Sequence, residues 1–221
     1  MTRLLDLGID RIHNIIMDMA KLSESSVLTA LESYEEGTRI KRQIFDWSEK
    51  LRTLQEEVAD LAIELIARYQ PVATDLRFIR SCMEISYGFS RFGRYAYDIV
   101  DVLETIGSIS DCDKSTVLEM AAIVREMIQL SLHSLRSRDK DASQKLYQMD
   151  DSVDTLYRKY LREIITIKTN QDKNQDKNFA DPRCSVSALL ILRYLERISD
   201  HACYIGDSVH YIVTGVSSPR R

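Results

Sequence analysis

The apolar stripe Ile191, Leu195, Ile198, Ala202, Ile205, Val209 and Ile212 has a counterpart 106 positions earlier, in Ile85, Phe89, Phe92, Ala96, Ile99, Leu103 and Ile106. Steps of three and four residues put each set on one face of a helix. A shift of 102 positions likewise carries Val153, Leu156 and Tyr160 back to Leu51, Leu54 and Val58. The difference between the two shifts is absorbed ahead of the last helix. Asp181 and Arg183 fall on Asp75 and Arg77 by the longer shift. Helix stripes that recur in order describe a duplicated three-helix unit, and each stripe needs a helical neighbour to cover it, so each unit closes as a bundle.

The spacing predicts six helices, at about 9–33, 39–69, 75–106, 117–135, 139–167 and 181–213. Gln70-Pro71 ends the second, Asp75 is the expected cap of the third, and Gly107-Ser108 closes the first unit. Two repeats are expected, 1–108 and 109–221. The run KTNQDKNQDK at 168–177 is the most polar segment and is expected to be a loop or a frayed helix end. Strand patterns are absent. The expected class is all-α.

Three prolines and seven glycines in 221 residues suit long helices, and a chain of this length buries a core without disulfides. Cys82, Cys112, Cys184 and Cys203 are scattered, with no CxxC pair, which suits a reducing compartment and argues against a structural zinc knot. The net charge of -4, with bases interspersed among acids, gives no nucleic-acid signature. No apolar run reaches the roughly 20 residues of a membrane span, and no signal-peptide core opens the chain. A cytoplasmic location is expected.

The second half carries two acid pairs at i,i+4 spacing: Asp150 with Asp154, and Glu196 with Asp200. At about 100° per residue, Glu196 and Asp200 fall roughly opposite the apolar stripe, with Asp207 on the same side, while Asp150 and Asp154 flank theirs. Paired carboxylates repel along a helix, and a cation bridging them removes that repulsion. Oxygen-only ligands suit magnesium, manganese or iron, and His201 beside them would admit zinc or iron. The alternative is a solvated acidic face. The first half has Ser48, Arg52, Ser90 and Arg94 at the corresponding positions. These cannot hold a cation; local ion pairing with Glu49, Asp98 or Asp101 is the favoured expectation, and anion binding the other. Arg77 and Arg183 are expected to hold loops by ion pairing, with contact to a partner as the other reading.

Gln70-Pro71-Val72-Ala73-Thr74-Asp75-Leu76-Arg77 resembles the QPVAxDLR segment of the PhoU family, and Leu195-Glu196-Arg197-Ile198-Ser199-Asp200-His201-Ala202 resembles its LERIGDHA motif, with serine for glycine. The acid-rich run from Asp150 to Tyr157 and the end from Val209 to Gly215 are similar too. The resemblance spans nearly the whole chain and implies two tandem three-helix bundles related by internal pseudo-twofold symmetry. It implies metal ions on Asp150, Asp154, Glu196 and Asp200, whereas Ser90 to Ala96 keeps the frame of the other motif without its acids. It further implies a regulator of phosphate transport and phosphate-starvation signalling. Such a regulator acts on the ATPase of a phosphate ABC transporter and on a sensor histidine kinase, often as a homodimer, and meets the membrane only through partners.

Nothing in the chain assembles a catalytic arrangement. His13, His133, His201 and His210 have no evident nucleophile partner, Cys203 is not at the three- or four-residue spacing from His201 that a shared helix face needs, and there is no Walker lysine or phosphate-cradling glycine loop. A non-enzymatic protein is expected. The competing readings are a metal-carboxylate protein for iron storage or redox work, and a helical adaptor with no bound ion.

Overall fold

A computed structural model describes residues 4–169 and 181–218. Six helices follow in order: α1 Leu4–Glu36, α2 Lys41–Tyr69, α3 Ala73–Ile106, α4 Ser115–Ser137, α5 Ala142–Thr169 and α6 Pro182–Thr214. No strand occurs among the described residues. Of the polar run 168–177, the first two residues extend α5, and the rest lies outside the described residues.

The ends follow local chemistry. Gln70 takes a left-handed conformation (φ 48°) ahead of Pro71 and closes α2, and Gly107 (φ 84°) closes α3. Asp181 caps α6 by accepting from the Arg183 backbone N–H at 2.8 Å, with Pro182 at the first helical position. Asp75 is not the cap of α3: the helix begins two residues earlier, after Val72, and Asp75 lies in its first turn. There its charge still complements the positive helix end.

Helix α3 packs on α1, α2 and α6, and α6 packs on α4, α5 and α3. The two central helices run antiparallel: Arg77 approaches Gly215, Glu84 accepts from Ser208, and Tyr95 stacks on Tyr194. Pseudo-twofold symmetry is visible in these contacts. The longer shift takes the Tyr95–Tyr194 pair to His201 and Gly88, and a Cβ on Gly88 would meet the His201 carbonyl at 3.8 Å. All seven stripe positions of α6 are buried, and five of the α3 set are among the core residues, with Leu103 and Ile106 packed against their margin. Phe89 and Phe92 meet edge to face at 6.1 Å in the first bundle.

Close packing depends on small residues. A Cβ on Gly93 would stand 2.5 Å from Leu51 Cδ1, and one on Gly206 2.6 Å from Leu146 Cδ1. Several buried serines return their hydroxyls to their own helices, as Ser131 does to the Ile128 carbonyl and Ser199 to that of Glu196, and so leave no unsatisfied donor, whereas the buried Ser81 hydroxyl has no hydrogen-bond partner.

The cysteines depart from expectation. Cys112, in the α3–α4 connection, and Cys184, in the first turn of α6, form a disulfide with Cα atoms 5.4 Å apart. Their separation of 72 residues hides the pair in the sequence; antiparallel packing of α3 and α6 brings the exit of one to the start of the other. Cys82 and Cys203 are free and buried, and burial pushes the Cys82 thiol up to about 12.

Candidate functional site

Helices α5 and α6 gather the acids of the second repeat into one groove. Asp150 and Asp200 line a single cavity of about 700 Å³ between α3, α5 and α6. Glu196, Asp200 and Asp154 feel one another electrostatically. Burial first, then Asp200 and later Asp154, raises the Glu196 carboxyl above its ordinary range. Asp200 is raised by burial and by Asp154.

Sequence geometry put Glu196 and Asp200 on an outer face; the structure does not. Their side chains are only 13% and 28% exposed, because α5 lies over that side of α6. A single helix wheel registers only its own stripe, and α6 is covered by three neighbours.

Arginines neutralise these carboxylates. Arg193 meets Glu196 at 2.6 Å, Arg197 lies 3.3 Å from Asp200 and 3.7 Å from Glu196, and Arg158 meets Asp154 at 2.5 Å. Among the described residues no three His, Cys, Asp or Glu side chains converge as metal ligands would. The donor set is of the oxygen type that hard cations take, but as arranged it serves guanidiniums. His201 turns its ring into a cage of Tyr87, Tyr95 and Tyr204, with centroids 5.5–6.0 Å away. Burial, with Arg91 and Arg197 nearby, pushes it down to about 4, so the ring is neutral at pH 7.

The first repeat is held by local pairs, as expected. Arg52 bridges Glu49 at 3.1 Å and Glu56 at 2.6 Å, and Arg94 pairs with Asp98 at 3.0 Å. Arg183 clamps Asp181 at 2.6 Å. Arg77 donates to Thr74 at 3.2 Å and sets its guanidinium beside Gly215, at the negative end of α6.

Sequence reasoning missed the side of the cavity supplied by α3, where Glu84 and Tyr87 stand. It also missed Tyr147, whose hydroxyl donates to Asp207 Oδ2 at 2.6 Å. Tyr147 is one turn before Asp150, and Asp207 two turns after Asp200, so helical spacing already grouped those residues. The contribution of α3 needed the packing of one repeat on the other.

Two copies of the PhoU domain match the chain, at residues 16–103 and 117–209. A phosphate-specific transport system accessory protein PhoU homolog of Clostridium acetobutylicum is 27% identical over 219 residues, covering 97% of both chains. One of Deinococcus radiodurans is 31% identical over 177 residues, covering 75% of this chain and 78% of that one. The crystal structure of the phosphate transport system regulatory protein PhoU from Streptococcus pneumoniae superposes with a TM-score of 0.84 at 18% identity, over 98% of this chain and 100% of the other. PhoU from Pseudomonas aeruginosa gives 0.76 at 23%, over 96% and 99%. With both repeats matched in order and the six-helix architecture shared, the chain belongs to the PhoU family.

Proposed function

We propose that this protein regulates inorganic phosphate transport and phosphate-starvation signalling through protein contacts, without catalysis, and that the α5–α6 groove of the second repeat is its working face. The names of its relatives, accessory proteins of phosphate-specific transport systems, support the process. The observation that carries the choice of face is the asymmetry of the duplication: where the first repeat has Ser48, Arg52, Ser90 and Arg94 the second has Asp150, Asp154, Glu196 and Asp200, and two of these acids, Asp150 and Asp200, line a cavity of about 700 Å³. In this reading residues 1–108 act as scaffold and 109–221 as the binding repeat. The partners are the transporter ATPase and a sensor kinase, met in the cytoplasm by a homodimer. No helix among the described residues is long and apolar enough to cross a membrane, which fits a protein that reaches the membrane through partners.

A metal on Asp150, Asp154, Glu196 and Asp200 belongs to the proposal as a competitor of the arginines. It would have to displace Arg158, Arg193 and Arg197, and the all-oxygen donors would select magnesium, manganese or iron over zinc. Elemental analysis of wild type and the Glu196→Ala/Asp200→Ala variant tests that part. The regulatory reading is tested by deleting the gene and measuring phosphate uptake and a starvation reporter in phosphate-rich medium. Both should rise, and both should be restored by wild type but not by a variant neutralised at all four acids. Unchanged uptake and reporter in the deletion strain would refute the regulatory role.

A further inference from the structure

Three helix ends meet at the connection between the repeats. Lys114 Nζ donates to the Tyr34 and Glu35 carbonyls at the end of α1, both at 2.9 Å. Asp113 accepts from the Ser115 backbone N–H at 2.9 Å, at the start of α4. Cys112, whose own N–H turns back to the Ile109 carbonyl, is bonded to Cys184 in the first turn of α6. The links to α1 and α4 are polar; the link to α6 is covalent.

The four cysteines differ in reach. Cys112 and Cys184 are partly exposed, whereas Cys82 and Cys203 are each 1% exposed. A dissolved thiol meets the first pair in the folded protein and is kept from the second. Neither Cys112 nor Cys184 is a fully buried core residue, so both bundles stay packed when the bond opens. Magnitudes then decide whether the bond is permanent. A crosslink over 72 residues favours the folded chain about a thousandfold. By linkage the fold favours the bond by the same factor. In an unfolded chain two such thiols meet at an effective concentration on the order of millimolar, so folding lifts it to the order of molar. Exchange with glutathione is balanced where the ratio [GSH]²/[GSSG] of reduced to oxidised forms is about 1 M, within the range of cytoplasmic poise.

We infer that Cys112 and Cys184 form a reversible redox switch, worked by a glutathione-type thiol pool, that fastens or releases the inter-repeat connection on α6. The Cys184 thiolate, favoured at the positive end of α6, attacks one sulfur of the small disulfide and expels the other as a thiolate. The Cys112 thiolate then attacks the Cys184 sulfur of the mixed disulfide and expels the second small thiolate. Two protein thiols and one small disulfide thus become one protein disulfide and two small thiols, with two electrons and two protons passed to the small molecule. Reduction runs the same steps backwards. In the dithiol state the connection keeps Lys114 on α1 and loses its tether on α6. The inference goes beyond the regulatory reading and takes from it the cytoplasmic setting alone.

The test equilibrates the full chain in glutathione buffers of graded [GSH]²/[GSSG], unfolds it with a thiol-blocking reagent, and counts blocked cysteines by mass. The count should pass from two to four as the buffer becomes reducing, with a midpoint within about tenfold of 1 M, the same from either direction. Hydrogen exchange reads the structural consequence. Amides of 108–114 and 182–187 should exchange about tenfold faster in the dithiol form, while those of 191–212 keep their rates. Cys112→Ser/Cys184→Ser should match the dithiol form in every buffer. A bond that survives millimolar reduced glutathione would be a permanent staple, and four thiols in every buffer would mean that no bond forms. Either result, a midpoint outside the stated range, or equal exchange rates in the two states would overturn the inference. None of these results bears on the deletion strain, so the two proposals fail separately.

Discussion

Cys112 and Cys184 tie the exit of α3 to the first turn of α6, closing a ring that contains α4 and α5. A crosslink over 72 residues limits the unfolded chain strongly, worth about 4 kcal/mol in the chain-entropy model. Cys112→Ser/Cys184→Ser should therefore lower the thermal midpoint by roughly 10 °C. Reductant should do the same to wild type and nothing to the variant. Equal midpoints with and without reductant, together with four titratable thiols in unreduced protein unfolded in denaturant, would refute the crosslink.

Gly93 and Leu51 are mutually fitted, and the second repeat carries Ser199 and Val153 in their places, a larger residue against a smaller one. Gly93→Ser alone should destabilise by about 1–3 kcal/mol through overpacking. Adding Leu51→Val should recover part of that loss. In a double-mutant cycle followed by urea unfolding, strict additivity would show that the two positions do not share the space.

The hydrogen bond from Tyr147 to Asp207 has an ionised acceptor in a half-buried setting. Tyr147→Phe should cost about 1–2 kcal/mol. The loss should shrink in an Asp207→Asn background, where the acceptor is no longer charged.

In chelator-treated protein, Glu196 and Asp200 hold their protons to higher pH than in the unfolded chain, chiefly because both are half-buried. A raised carboxyl favours the fold at pH below its unfolded value, and the advantage disappears as pH rises through the folded value. At pH 7 the ionised pair therefore weighs against folding. Glu196→Gln should raise stability there by a few tenths of a kcal/mol, the scale of a like-charge pair one turn apart, and leave it unchanged near pH 3. A loss of stability at pH 7 would mean that Arg193 contributes more than burial and Asp200 take away.

Much of this fold was legible in the chain. Ile191 to Ile212 and Ile85 to Ile106 declare their helices and their kinship, because a buried stripe is a one-helix property with a fixed period. The acid pairs were legible for the same reason: i,i+4 spacing alone puts Asp150 with Asp154 and Glu196 with Asp200. What failed were properties of three or more elements at once. The burial of Glu196 is decided by α5, the Cys112–Cys184 pairing by the antiparallel contact of α3 and α6, and the far side of the cavity by Glu84 and Tyr87 from the other repeat. The start of α3 failed differently. Asp75 is a good capping residue, yet Val72 and Ala73 follow Pro71 directly into the helix and leave it inside the first turn.

The exchange of Arg94 for Asp200 between the repeats gives a two-faced body a single orientation. A partner that reads only contour meets two look-alike grooves, on opposite sides of the pseudo-twofold axis, and can occupy both. One that reads charge finds Arg52 and Arg94 on one side and Asp154 and Asp200 on the other. The duplicated protein then presents one valence per chain, so any assembly built on that contact is counted in chains and not in repeats.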